Sequence, residues 1–182
     1  MKLYVARHGE TEWNSLDKIC GRTDLNLTEK GISQAHELGK RMREENKIPD
    51  IIIVSPMKRA QQTARAVLEE LPKKDIEFLT DERLIEMDYG IYEGMPRLTE
   101  GFLENKGNFA VKYPNGESQL MAAARVYPLI DEIKANYKDK TVMLVCHGGI
   151  CRIIHTYFHN LPNSEFLKWS ATNCCLSEYE TD

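Results

Sequence analysis

The chain has 182 residues, long enough for one domain with a sizeable core, and its 42% hydrophobic and 29% charged residues are ordinary for a globular protein. Its 28 acidic side chains outnumber 24 lysines and arginines for a net charge of −4, so no bulk basic surface exists and nucleic acid is not an expected partner. No run approaches the roughly 18 apolar residues of a membrane span, and no charged-then-apolar leader precedes the first strand, so a cytoplasmic protein without membrane contact is expected. The five cysteines (Cys20, Cys146, Cys151, Cys174, Cys175) are odd in number and lack CxxC spacing, which suits reduced thiols better than a disulfide framework.

Lys2 to Ala6 reads as a short buried strand that stops at Arg7-His8-Gly9, where Gly9 lets the backbone turn. Glu10 to Gly21 is polar and reads as loop. Thr28 is a good N-cap for a helix with Ile32, Ala35, Leu38, Gly39 and Met42 on its apolar stripe, closed by the charged stretch Lys40 to Lys47 and stopped by Pro49. Asp50 to Val54 is β-branched without alternation, as buried parallel strands tend to be. Ser55-Pro56 then predicts an N-cap and a proline at the first helical position, the helix running to Pro72.

Ile76 to Leu79 predicts a third strand. Over 81–116 the pattern breaks down into five glycines, scattered aromatics and at most one short helix near Leu98 to Glu104. Long irregular segments in compact domains are usually functional, so this stretch is expected to form a lid-like excursion over the rim of the sheet. Glu117 to Tyr137 predicts an amphipathic helix presenting Leu120, Ala124, Val126, Tyr127, Ile130 and Ile133, kinked or split at Pro128. Thr141 to Cys146 is a fourth strand, Gly149 to Phe158 the helix after it, and Cys174 to Tyr179 a final edge strand. Strands alternating with helices predict a single domain over 1–182, a three-layer α/β/α sandwich with a mostly parallel sheet.

Ligands of open α/β sheets bind outside the carboxyl ends of the strands. Those ends carry Arg7-His8-Gly9, Ser55 to Arg59, and His147-Gly148. Arg59 falls in the first turn of its helix, where free backbone N–H groups already favour an anion. Two arginines, two histidines and two helix N-termini converging on one crevice suit a phosphoryl group, whose oxygens match the paired N–H groups of arginine. His36, His155 and His159 stand at no clear metal-ligand spacing and read as structural.

Arg7-His8-Gly9-Glu10-Thr11-Glu12-Trp13-Asn14 resembles the signature of the histidine phosphatase superfamily, the phosphoglycerate-mutase-like fold. The resemblance extends in order through Leu27 to Gly31, Ser55 to Ala64, Leu84 to Gly90 with Glu93-Gly94, Tyr113 to Ser118, and Cys146 to Gly149. It implies that His8 is a nucleophile forming a phosphohistidine, with Arg7, Arg59 and His147 on the phosphoryl oxygens. It further implies Glu86 as the acid and base, although Asp81, Glu82 and Asp88 stand close by. Asn14 and the Gly148 N–H would add neutral donors, and Cys20, Gly21 and Tyr89 would line the substrate side. Thr11 reads equally as a phosphate contact or a turn residue. No metal or other cofactor is required, because the arginines supply the positive charge.

The expected activity is a metal-independent phosphomonoesterase acting on a small phosphorylated metabolite, similar to the α-ribazole and broad-specificity phosphatases. The alternatives are a cofactor-dependent phosphoglycerate mutase and a catalytically silent module that holds a phosphorylated ligand. Mutases resemble longer chains with an insertion richer in basic residues. Here Gly94 to Gly116 holds only Arg97, Lys106 and Lys112 as cations, with no adjacent arginine pair. Silent relatives lose the nucleophile or the acid, and both His8 and Glu86 are present. No sequence feature specifies an oligomeric state.

Overall fold

The structure is a computed structural model describing residues 1–73 and 75–180. In chain order it forms β1 (Lys2–Arg7), α1 (Glu12–Ser15), α2 (Glu29–Glu44), β2 (Ile51–Val54), α3 (Lys58–Glu70) and β3 (Glu77–Thr80). Then follow two 3-10 turns (Glu82–Leu84 and Gly90–Tyr92), α4 (Glu100–Lys106), α5 (Gln119–Asn136), β4 (Thr141–Cys146), α6 (Gly148–Phe158), α7 (Asn163–Lys168) and β5 (Leu176–Glu180). The sheet order is β3-β2-β4-β1-β5, parallel except for β5, which runs antiparallel to β1 along one edge.

The central strands are apolar without alternation because both sheet faces are covered. Leu3, Val5, Ile53 and Leu144 join one core with Val126 and Ile130 of α5 and Ile150 and Ile154 of α6. Tyr4, Ala6, Ile52 and Val145 join a second core with Leu38 and Met42 of α2 and Ala64 and Val67 of α3. These are the three layers expected of the sandwich.

Several elements depart from the sequence reading. The predicted loop at Glu10 to Gly21 contains the helical turn α1, because Thr11 and Asn14 form a capping box, each side chain accepting from the other's backbone N–H. Thr11 is therefore a buried turn residue. Ile32 is 42% exposed, and the buried face of α2 is instead Gly31, Ala35, Leu38, Gly39 and Met42. Leu120 and Ala124 also face outward. α3 starts at Lys58 rather than Pro56, and Ser55 is not its cap, because the Ser55 hydroxyl is held by His147 Nε2 at 2.7 Å. α5 continues through Pro128, which sits on the exposed side, so the helix is not split there. β5 begins at Leu176, two residues late, because Cys174 adopts a left-handed φ of 54° incompatible with a strand. α7, following Pro162, has no counterpart in the elements the sequence predicts.

Gly9 does not have the positive φ of a glycine-dependent turn, and its value lies in close approach. A Cβ there would overlap the Gly31 carbonyl, and a Cβ on Gly31 would overlap the Glu10 carbonyl oxygen. The loop after β1 and the start of α2 thus meet backbone to backbone. Gly→Ala inside a helix ordinarily stabilises by up to about 1 kcal/mol. Gly31→Ala should do the opposite, destabilising by about 1–3 kcal/mol through overpacking, which a lowered thermal midpoint would register.

Candidate active site

β1 and β4 are adjacent and parallel, with Arg7 opposite Cys146, so both strands end at the same height and deliver His8 and His147 side by side. The two imidazole centroids are 5.1 Å apart. α3 brings Arg59 between them. Its single Nε–H points at His8 Nε2 (3.2 Å) and His147 Nδ1 (3.1 Å), while its terminal nitrogens donate to the carbonyls of Thr23 (2.8 Å) and Gly21 (2.6 Å).

This pattern defines both tautomers. His8 Nδ1 faces the Gly9 carbonyl at 2.7 Å and must carry the proton, which leaves a lone pair on Nε2. His147 is the reverse, accepting at Nδ1 and donating from Nε2 to Ser55 Oγ. Burial, then Arg59 and Arg7, hold the His8 imidazole well below its usual pKa. His147 is lowered likewise by burial and then by Arg59, His8 and Arg7. Both rings are therefore neutral at pH 7.

Glu86 comes from the segment after the first 3-10 turn. Its Oε1 accepts from the Met87 N–H (2.8 Å) and its Oε2 from the Gly149 N–H (3.0 Å), at the N-terminus of α6. Burial pushes its carboxyl above the ordinary value, against those two hydrogen bonds and the two arginines. A Cβ on Gly149 would stand 2.6 Å from Glu86 Oε1 and 2.8 Å from the Tyr89 hydroxyl, so glycine is what lets the carboxyl approach the helix.

A cavity of about 270 Å³ opens over this group. Of the residues singled out in the sequence, Arg7, His8, Asn14, Cys20, Glu86, Tyr89 and Gly148 line it. Arg59, His147 and Gly21 do not. Arg59 and His147 are fully enclosed behind His8, and the Gly21 carbonyl receives Arg59. Arg7 Nε is buried without a partner beside this cavity, an N–H group ready for an anion. Asn14 Oδ1 is engaged by Thr11 N and Asn173 Nδ2, leaving its own amide N–H groups available. Burial raises the Cys20 thiol, so it is not an activated nucleophile.

Sequence reasoning missed four contributors. Ser55 orients His147, and Asn173 orients Asn14 while donating to the His8 carbonyl at 2.9 Å. Thr63 Oγ1 accepts from the Gly9 N–H at 3.0 Å and ties α3 to the turn. Arg152, one turn into α6, also reaches the cavity. Its helical spacing from Gly148 and Gly149 was the available signal. Among the described residues no group of three or more His, Cys, Asp or Glu side chains is placed to hold a metal ion, and no helix is long and apolar enough to cross a membrane.

The profile of the histidine phosphatase superfamily (branch 1) matches residues 3–182. The chain belongs to this superfamily. It is 31% identical over 189 residues to a 2,3-bisphosphoglycerate-dependent phosphoglycerate mutase of Parvibaculum lavamentivorans, covering 99% of this chain and 90% of the relative. It is 34% identical to the uncharacterized phosphatase PhoE of Bacillus subtilis, covering 97% and 86%. Among solved structures it resembles a mycobacterial glucosyl-3-phosphoglycerate phosphatase, with a TM-score of 0.83, 25% identity, and 97% and 88% of the two chains covered. Histidine phosphatase relatives thus include both mutases and phosphatases, and members act on phosphate esters.

Proposed function

We propose that the chain is a metal-independent phosphomonoesterase of small phosphorylated metabolites, working through a phosphohistidine on His8. The observation that carries this reading is that one cavity is lined by both His8, with its lone pair on Nε2, and Glu86, whose carboxyl burial pushes toward the protonated form. His8 Nε2 attacks phosphorus and the ester P–O bond breaks. Glu86 gives its proton to the departing alkoxide. The resulting carboxylate then takes a proton from water, whose oxygen attacks phosphorus. The N–P bond breaks, releasing inorganic phosphate and free His8. Arg7, Asn14 and the Gly148 N–H bind the equatorial oxygens, Arg59 joins them as its Nε–H exchanges an imidazole acceptor for a phosphoryl oxygen, and His147 joins once its Nδ1, released by that exchange, takes up a proton and can donate. Cys20, Tyr89 and the segment over 81–116 shape the substrate side, and Gly21 positions Arg59. Hydrolysis is favoured over transfer by the short segment from Gly94 to Gly116, which lacks an adjacent arginine pair.

The test is phosphate release from p-nitrophenyl phosphate in excess EDTA, beside 3-phosphoglycerate incubated with a trace of 2,3-bisphosphoglycerate. Hydrolysis undiminished by EDTA is expected. Isomerisation of phosphoglycerate without phosphate release would make the protein a mutase, and binding of phosphate esters with neither outcome would make it a silent module.

A further inference from the structure

Residues 86–89 lie in no helix or strand, so no ladder fixes the backbone that carries Glu86. Three side chains outside the cavity supply what a ladder would. The Glu86 carbonyl accepts from Arg22 Nε and Arg125 Nη2, each at 3.3 Å. Both guanidinium groups converge on Glu117. Arg125 donates from Nη2 to Glu117 Oε1 at 2.7 Å and from Nε to Oε2 at 3.4 Å, and Arg22 Nη2 stands 3.5 Å from Oε2. Glu117 also grips the segment directly, its Oε1 accepting from the Asp88 N–H at 3.2 Å and its backbone N–H donating to the Asp88 carbonyl at 3.0 Å. The Glu117 side chain is only 7% exposed. A carboxylate so enclosed is costly to desolvate, and here each of its oxygens is met by donors. None of the three residues lines the cavity, so none touches the substrate.

We infer that Glu117, together with Arg22 and Arg125, is a positioning residue for the acid, holding the Glu86 peptide so that its carboxyl meets the departing ester oxygen. The inference rests on the reading of Glu86 as the proton donor. The Glu86 carboxyl bridges the N–H groups of Met87 and Gly149, which belong to different segments. It can do so only while its own backbone keeps a fixed distance from α6, and the two arginines and Glu117 anchor that backbone. Proton transfer is sensitive to small displacements of the donor. Loosening the anchor is therefore felt at the leaving group and little at phosphorus, which Arg7, His8 and the Gly148 N–H address from β1 and α6. Glutamine keeps the size of Glu117, but whichever way its amide sits it turns an N–H toward a guanidinium or toward the Asp88 N–H.

Single-turnover phosphoryl transfer, with the full chain in excess over an alkyl phosphate or p-nitrophenyl phosphate, isolates the step in which the ester oxygen leaves. Glu117→Gln should slow the alkyl ester about 10–100-fold and p-nitrophenyl phosphate less than about threefold. Affinity for orthovanadate, which reports the phosphoryl pocket, should stay within about threefold. In a Glu86→Gln background the same substitution should cost the alkyl ester nothing further, because the carboxyl it positions is gone. Arg22→Gln, on a side chain 39% exposed, should repeat the selective loss at about threefold or more, and it decides the matter if Glu117→Gln does not fold. Equal slowing of both esters by Glu117→Gln, a comparable further alkyl loss in the double variant, or no alkyl loss in either single variant would overturn the inference. Equal slowing of both esters by Glu86→Gln would instead overturn the acid assignment, and with it what Glu117 is held to position.

Discussion

His8→Ala is expected to lower phosphate release from p-nitrophenyl phosphate by at least about a thousandfold, because His8 brings a neutral imidazole lone pair to the cavity. Cys20 is the nearest alternative, and burial holds its thiol protonated. The loss should appear in kcat rather than KM, since Arg7, Asn14 and the Gly148 N–H still face the phosphate. An alkaline quench of the wild type during turnover should trap phosphate on His8, and the variant should trap none. Turnover retained in His8→Ala, with circular dichroism showing a native fold, would remove His8 from the nucleophilic role.

Glu86→Gln should divide substrates by leaving group. Alkyl phosphates, which depart as strong bases, should slow by about 10²–10⁴-fold, whereas p-nitrophenyl phosphate should lose less than about tenfold in its first step. A pH signature accompanies this. Burial lowers the imidazole of His8, so the ring stays neutral to below its usual 6.5, and it raises the carboxyl of Glu86, so the acid stays protonated to above its usual 4.5. The same desolvation moves the two groups in opposite directions and widens the interval in which neutral base and protonated acid coexist. The wild type should therefore lose alkyl-phosphate activity on the alkaline side as Glu86 gives up its proton, and Glu86→Gln should lack that limb. Any contribution from ionisation of the substrate is common to both proteins. Equal losses for alkyl and aryl esters, or an unchanged alkaline limb, would assign the acid elsewhere.

The sheet was legible because its signal is redundant. Four apolar runs end in turn residues or candidate site residues, and β4 falls where its six residues predict. Errors arose where one side chain answers to a distant partner. Ser55 looks like a helix cap beside Pro56, yet its hydroxyl is claimed by a histidine 92 residues away. Cys174 has a strand-like sequence context, but its left-handed backbone delays β5. Ile32 and Leu120 show how weakly a helical stripe specifies rotation, since the buried face of α2 is decided by where two backbones meet at Gly31. In the site, motif residues were readable as a set, but their layering was not. Only the structure separates Arg7 and Glu86, which face the cavity, from Arg59 and His147, which stand behind His8. Arg152 lines the cavity, yet nothing local in the sequence distinguishes it from a solvated helix residue.

The pairing of Arg7 with Cys146 has a consequence for how the molecule acquires its chemistry. The two imidazoles are delivered side by side by the ladder that joins β1 to β4, and the Arg59 Nε–H that reaches both rings holds them there. A slip of one residue along that ladder would turn alternate side chains to the opposite face, exchanging the partners of both cores and parting the imidazoles in the same event. Partly assembled chains with the wrong pairing are therefore silent as well as unstable. Appearance of activity during refolding becomes a clock for the moment at which these two strands lock in register.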